Sequence, residues 1–405
     1  MKGIFGKFSL VKLLPVLLIA PIVLIFTFFL IVPNPYLAAG SDFISYFSGA
    51  SIIKNNKVNL IYDISTQKEF FEDIIYPLKG TITNRFISPP FVALLYLPFT
   101  SLNYFAAYKL FFIANLGILL IFLFLMDRTF TKLGNKYKFL IVVPFYFIPV
   151  ATTLFMGQTS FLLAIIFLLI YICLNNKKSK EVGILSAALL IKPQFVIAIP
   201  FLILLVKRKK EFFIWFLGTS LFLFLASLLM AGPRALLDFL PFALSTENPE
   251  FGNRAYQMFS LHAVISYLFF KSNLTNLYSL IINFAAYIFS IYLFSKRVSK
   301  MRFKLAFIIV IFLTLVFSVH VLSHDLILLL LPIFIILNDT LKAGKINKFV
   351  LVKIKGELLI FTLFLFVLPA TVTLGNTIPA AVIFIVFSAL LLFKPEILEK
   401  RILSK

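Results

Sequence analysis

LLPVLLIAPIVLIFTFFLIV, Leu13 to Val32, is twenty residues without a charge, and its reading decides the fold. At about 1.5 Å of rise per residue, a helix of that length reaches across a hydrocarbon layer of roughly 30 Å. Leu37-Ala38-Ala39-Gly40 behind it resembles a small-residue cleavage site. A secretory core has only about 7–15 apolar residues, so an uncleaved anchor is the expectation. Comparable apolar runs recur through all 405 residues; 61% are hydrophobic and 52 are Phe. Mean hydropathy is +1.04. This describes an all-α integral membrane protein with many crossings, not a soluble domain with an anchor.

The formal net charge of +22 would suit nucleic acid, but the basic residues sit in short loops between apolar runs. Membrane proteins fix their orientation this way, so no nucleic-acid partner is expected. Cys173 is the only cysteine, which excludes an internal disulfide. Basic groups stand at Lys2 to Lys12, Arg128 to Lys138, Lys177 to Lys180, Lys207 to Lys210, Lys296 to Lys304, Lys342 to Lys355 and Lys394 to Lys405. If all face the cytoplasm, neighbouring groups are separated by even numbers of crossings, giving about twelve in total with both termini inside. The chain then reads as one polytopic domain over residues 1–405: a first transmembrane helix at 13–32, an outer loop at 33–85, the remaining bundle at 86–393 and a cytoplasmic tail at 394–405.

Two regions resist simple counting. Lys192-Pro193-Gln194 interrupts an apolar stretch, and the proline predicts two short helices meeting there. Helices of roughly 10–12 residues do not span a bilayer, so this pair belongs beside a water-filled, protein-lined cavity. Residues 86–100 open on Ser88-Pro89-Pro90. They read either as a dip from outside, with Tyr104–Met126 as the true return, or as a crossing that breaks the charge rule. In the outer loop, Phe43, Tyr46, Phe47, Ile52 and Ile53 fall at helical spacing with Lys54 and Lys57 beyond, the pattern of an interfacial amphipathic helix.

Only 16 residues are Asp or Glu, and Asp42 stands ten residues past Val32. It suits an N-cap for a helix starting near Phe43, and equally a general base held at the membrane surface. Tyr46 follows at i+4, then Tyr62-Asp63, Glu69, Glu72 and Asp73. Lys192 is either a lysine snorkelling to the surface or a cation for an anionic headgroup. Arg85 and Arg254 are further candidates for that ligand. His320-Val321-Leu322-Ser323-His324-Asp325 has i, i+4 histidine spacing but neither an HExxH pattern nor a fourth ligand, which favours polar-substrate binding over a metal. Gln158, in Gly157-Gln158-Thr159, reads as a sugar-hydroxyl contact or as part of a plain hairpin turn. No glycine loop for phosphate, Ser–His–Asp pattern or nucleotide domain is visible.

Taken in order, these residues resemble the family-87 glycosyltransferases, membrane enzymes of the C-type superfamily that use polyprenyl-phosphate sugars. Asp42-Phe43…Tyr46 with Asn59-Leu60-Ile61-Tyr62-Asp63 is similar to the family's opening motif, and Arg85 to Phe91 to its aromatic–Pro-Pro segment. Gly157-Gln158-Thr159, Gly183…Lys192-Pro193 and Ser318 to Leu326 resemble three more. In the last, Val319 replaces a proline and His324 a tyrosine. The resemblance implies a C-type glycosyltransferase-like helix bundle in the plasma (inner) membrane of a bacterium, with its active site outside. It implies a polyprenyl-phosphate sugar donor, most often mannose, a lipid or glycan acceptor, and inversion at the anomeric carbon. Asp42 would be the catalytic base, and Lys192, Arg85 and Arg254 would hold the donor phosphate. Tyr46, Tyr62, Asp63, Gln158, His320 and Asp325 would contact sugar or acceptor. No cofactor is implied, and metal dependence stays open. Two other classes compete: a lipid-linked-sugar transporter or flippase, which also uses broken helices, and a non-catalytic subunit of polysaccharide assembly. The first predicts an internal repeat, and none is visible.

Overall fold

The computed structural model describes residues 10–32, 34–78, 84–130, 142–245, 255–269, 273–342 and 356–395; among them every regular element is a helix. Arg254 and the basic groups within 1–9, 131–141, 343–355 and 396–405 lie outside the described residues. Among the described residues three helices are long and apolar enough to cross a membrane: Tyr104–Thr129, Lys209–Ser245 and Leu277–Lys300. The opening run lies in the helix Leu10–Ile31. Shorter apolar helices include Ser160–Asn175, Phe303–Phe317 and Ile378–Phe393. The chain is a helical membrane protein.

Many helices are broken, and the breaks follow proline and glycine. The expected interruption at Lys192-Pro193 is present: the helix Ser179–Ala188 tightens into a 3₁₀ turn, Lys192 leaves helical geometry at φ −128°, ψ 89°, and Pro193–Ala198 leads into Ile199–Leu205. Residues 90–101 make two 3₁₀ turns, Pro90–Leu95 and Leu97–Ser101, and so do not form a spanning helix; Tyr104–Thr129 follows. The helix Lys209–Ser245 kinks at Gly232, whose φ of 76° only glycine adopts without strain. Ser179–Ala188 packs along it because Gly183 has no side chain: a Cβ there would sit 2.5 Å from the Phe212 carbonyl oxygen.

The segment expected as an outer loop departs from expectation. Phe43–Lys54 is a helix, but Phe43 to Ala50, Ile52 and Ile53 are all buried, so it is packed within protein rather than lying two-faced in the interface. The helix Ile64–Ile75 carries the two-sided pattern instead, burying Thr66, Gln67, Phe71 and Ile75 and exposing Lys68, Glu69, Glu72 and Asp73. Spacing misassigned the first helix because tertiary cover removes its outer face from solvent. Two apolar cores result. One includes Phe161, Phe195, Phe259 and Phe307; the other gathers Phe43, Tyr62, Phe86, Tyr96 and Phe111. Asp42, from the second, and Gln158, at the edge of the first, meet between them.

Candidate active site

The junction is made by a glycine. Ile148–Met156 ends at Gly157 with φ 65°, and an added Cβ there would lie 2.6 Å from the Phe43 Cβ. Left-handed backbone and close approach both require glycine here. The turn therefore abuts the residue next to Asp42, and Gln158 follows directly. Asn115, a buried polar residue in Tyr104–Thr129, donates to the Gln158 backbone carbonyl at 2.9 Å and fixes the turn.

Asp42 precedes the helix Phe43–Lys54, but its side chain makes no capping bond. Its oxygens are held separately: Gln158 Nε2 donates to Oδ2 at 2.6 Å and Asn84 Nδ2 to Oδ1 at 2.9 Å. Tyr46 donates to Gln158 Oε1 at 3.2 Å, which fixes the sense of the amide. The Tyr46 ring stacks on Tyr96 with centroids 4.6 Å apart. Burial raises the Asp42 carboxyl above its ordinary pKa, while the Gln158 hydrogen bond and the Coulombic influence of Lys192 work the other way. Burial also raises the Tyr46 phenol, which keeps it a donor.

Lys192 is not the isolated cation its sequence context suggests. Its ammonium lies 2.6 Å from Asp325 Oδ1 and 3.0 Å from Ser160 Oγ, with 5% of the residue exposed. Asp325 is fully buried, and it also accepts from Ser160 at 3.3 Å and from the Leu322 backbone N–H at 3.3 Å. His324 Nε2 stands 3.5 Å from Oδ2. The Gln158-Thr159-Ser160 segment joins this cluster to Asp42. The break at Lys192, the turn at Gly157 and the 3₁₀ segment Ser323–Leu329 thus each deliver a polar side chain to one place.

The other candidates divide. His320 is half-buried and close enough to influence Asp42 electrostatically. Arg85 is half-buried and follows Asn84 in sequence; burial lowers its pKa. Tyr62 is buried, donates to the Ser88 carbonyl at 2.7 Å and packs on Phe86. Asp63 caps the helix Ile64–Ile75, taking the Thr66 N–H at 2.8 Å and the Ser65 hydroxyl at 2.6 Å; these bonds lower its pKa. It lines a cavity of about 370 Å³ with Asn59, Tyr62, Arg234 and Asp238, and Asp42 is not in that lining. Asn84 and Ser160 were not legible as site residues, since a polar residue in a loop or after a turn carries no signal of its own. Asn115 had one: a lone amide in an apolar helix. Among the described residues no three His, Cys, Asp or Glu side chains are grouped to hold a metal.

Comparison with curated proteins and with solved structures returns no match. A family model, glycosyltransferase family 87, matches residues 86–336. That is well over half of the chain. It takes in Gln158, Ser160, Lys192 and Asp325 and starts beyond Asp42 and Asn84. The chain belongs to glycosyltransferase family 87.

Proposed function

We propose that this glycosyltransferase moves a sugar, mannose in the fullest form of the reading, from a polyprenyl-phosphate donor to a lipid or glycan acceptor with inversion. It works as a single polytopic domain of about twelve crossings in the plasma membrane, with both termini cytoplasmic and the site outside. One observation carries the chemistry: the Asp42 carboxylate caps nothing and is held instead by one carboxamide N–H on each oxygen. Neither amide competes for a proton, so the carboxylate keeps lone pairs for an acceptor O–H. Its proton passes to Asp42 as the acceptor oxygen bonds to the anomeric carbon. The bond from that carbon to the phosphate oxygen breaks, and the electron pair leaves with the polyprenyl phosphate. Lys192 counters the charge developing on that phosphate, with Arg85 and Arg254 in support. Tyr46, Gln158 and His320 face the sugar or acceptor, and Tyr62 and Asp63 line its approach.

The test is Asp42→Asn, assayed in membranes with radiolabelled polyprenyl-phosphate sugars. Turnover should fall by about 10²–10⁴-fold with expression and donor binding kept, because the amide preserves shape but takes no proton. Asp63→Asn should keep most activity, since Asp63 serves as a helix cap. Normal turnover in Asp42→Asn with loss in Asp63→Asn would mean that the other carboxylate is the base. No effect from either would return the chain to the transporter class.

A further inference from the structure

Asp325 is placed by its motif among the sugar or acceptor contacts, and its surroundings point elsewhere. A carboxylate offers about four lone-pair positions. Here three donors hold it, Lys192 Nζ and Ser160 Oγ on Oδ1 and the Leu322 N–H on Oδ2, and the His324 ring packs beside Oδ2 with Nε2 at 3.5 Å. The residue is 0% exposed, so its neighbours enclose the carboxylate and leave no open face for a sugar hydroxyl. Lys192 is the opposite case. Its ammonium has three N–H groups, of which Asp325 and Ser160 take two.

Both acceptors stand on fixed backbone: Ser160 begins the helix Ser160–Asn175, and Asp325 sits in the first turn of Ser323–Leu329. A lysine stem is flexible, and two acceptors at its head restrict it to one position. A lone buried ammonium is costly and a paired one much less so, which leaves the pair neutral before an anion enters. We propose that Asp325 and Ser160 are positioning residues, which hold the Lys192 ammonium so that its remaining N–H meets the phosphate of the sugar donor. This rests on the phosphate role given to Lys192 above.

The experiment is a double-mutant cycle read as competitive inhibition by a polyprenyl monophosphate. Lys192→Ala should weaken inhibition by about tenfold or more, the effect of losing a charge-assisted bond. Asp325→Asn should weaken it comparably, and the double variant should be no weaker than Lys192→Ala alone. Thermal unfolding is followed in parallel: each single change strands a buried group and lowers Tm, and the double change recovers part of the loss. Ser160→Ala keeps the ion pair and so serves where the single charge changes fail to fold. It should cost several-fold in the native background and nothing beside Lys192→Ala. An additive double variant would mean that Asp325 touches the ligand itself, and unchanged inhibition in Asp325→Asn would remove it from the site; either overturns the proposal. Unchanged inhibition in Lys192→Ala would defeat the phosphate role of Lys192, and this inference with it.

Discussion

At the residue scale, Asp42 and Asp63 are both carboxylates at the start of a helix in the segment that follows the first apolar helix, yet they are employed differently. Asp63 takes three local hydrogen bonds from Ser65 and Thr66 and stays at the surface. Asp42 ignores its own helix and binds side chains 42 and 116 residues away. Its basicity follows from opposed effects. Burial disfavours the ionised form and raises the pKa, while the Gln158 N–H favours the ionised form and lowers it. The acid limb of kcat/KM should therefore lie above the range of an ordinary carboxylate, with activity rising as Asp42 loses its proton. Gln158→Leu removes the opposing bond, so the limb should move to still higher pH. A pH profile of transfer decides the matter; a limb that stays put or moves to lower pH would detach Gln158 from the base. Sequence pattern alone found Asp42 and Gln158 but not their bond, since nothing local to either residue encodes a partner so distant.

At the element scale, broken helices are what build the site. A continuous helix satisfies its own backbone and presents apolar side chains to its neighbours. An interrupted one ends inside the protein and can place a polar side chain there. Proline and glycine mark the breaks at Lys192-Pro193, at Gly157 and in residues 90–101, so these are legible from residue type alone. Gly157→Ala would introduce a left-handed non-glycine residue, at a cost of about 1–2 kcal/mol, together with a clash on Phe43. Transfer should fall with it, because the turn carries Gln158 to Asp42. Gly183→Ala would press on the Phe212 and Phe216 backbone of Lys209–Ser245 and cost about 1–3 kcal/mol as overpacking. Thermal unfolding in detergent alongside transfer assays separates the two. The second variant should lose stability and keep turnover per folded molecule. Equal loss of turnover per folded molecule in both would deny the Gly157 turn its special place.

At the scale of the whole molecule, long apolar helices expose large apolar side chains: Leu217, Leu221, Phe222 and Leu229 on Lys209–Ser245, and Leu277, Ile281 and Phe284 on Asn273–Arg297. On helices of this length such a surface suits the hydrocarbon of a bilayer. Orientation can be checked in a Cys173→Ser background. Asp73→Cys, on the exposed face of the outer-loop helix, should react with an impermeant thiol reagent added outside cells, and Lys209→Cys should not. The reverse labelling would place the site on the cytoplasmic face. By itself the sequence determined the membrane class, the opening helix, the break at Lys192-Pro193 and a short set of polar candidates. Hydrophobic periodicity and the backbone limits of proline and glycine are local properties, legible residue by residue. The interfacial reading of Phe43–Lys54 failed because burial depends on what the rest of the chain lays over that helix. Only the tertiary structure decided that Lys192 is paired across 133 residues with Asp325, and that Asn84 and Ser160 complete the cluster. Hydrogen bonds of about 3 Å between residues so far apart in the chain follow from how the helices pack, which no local pattern records.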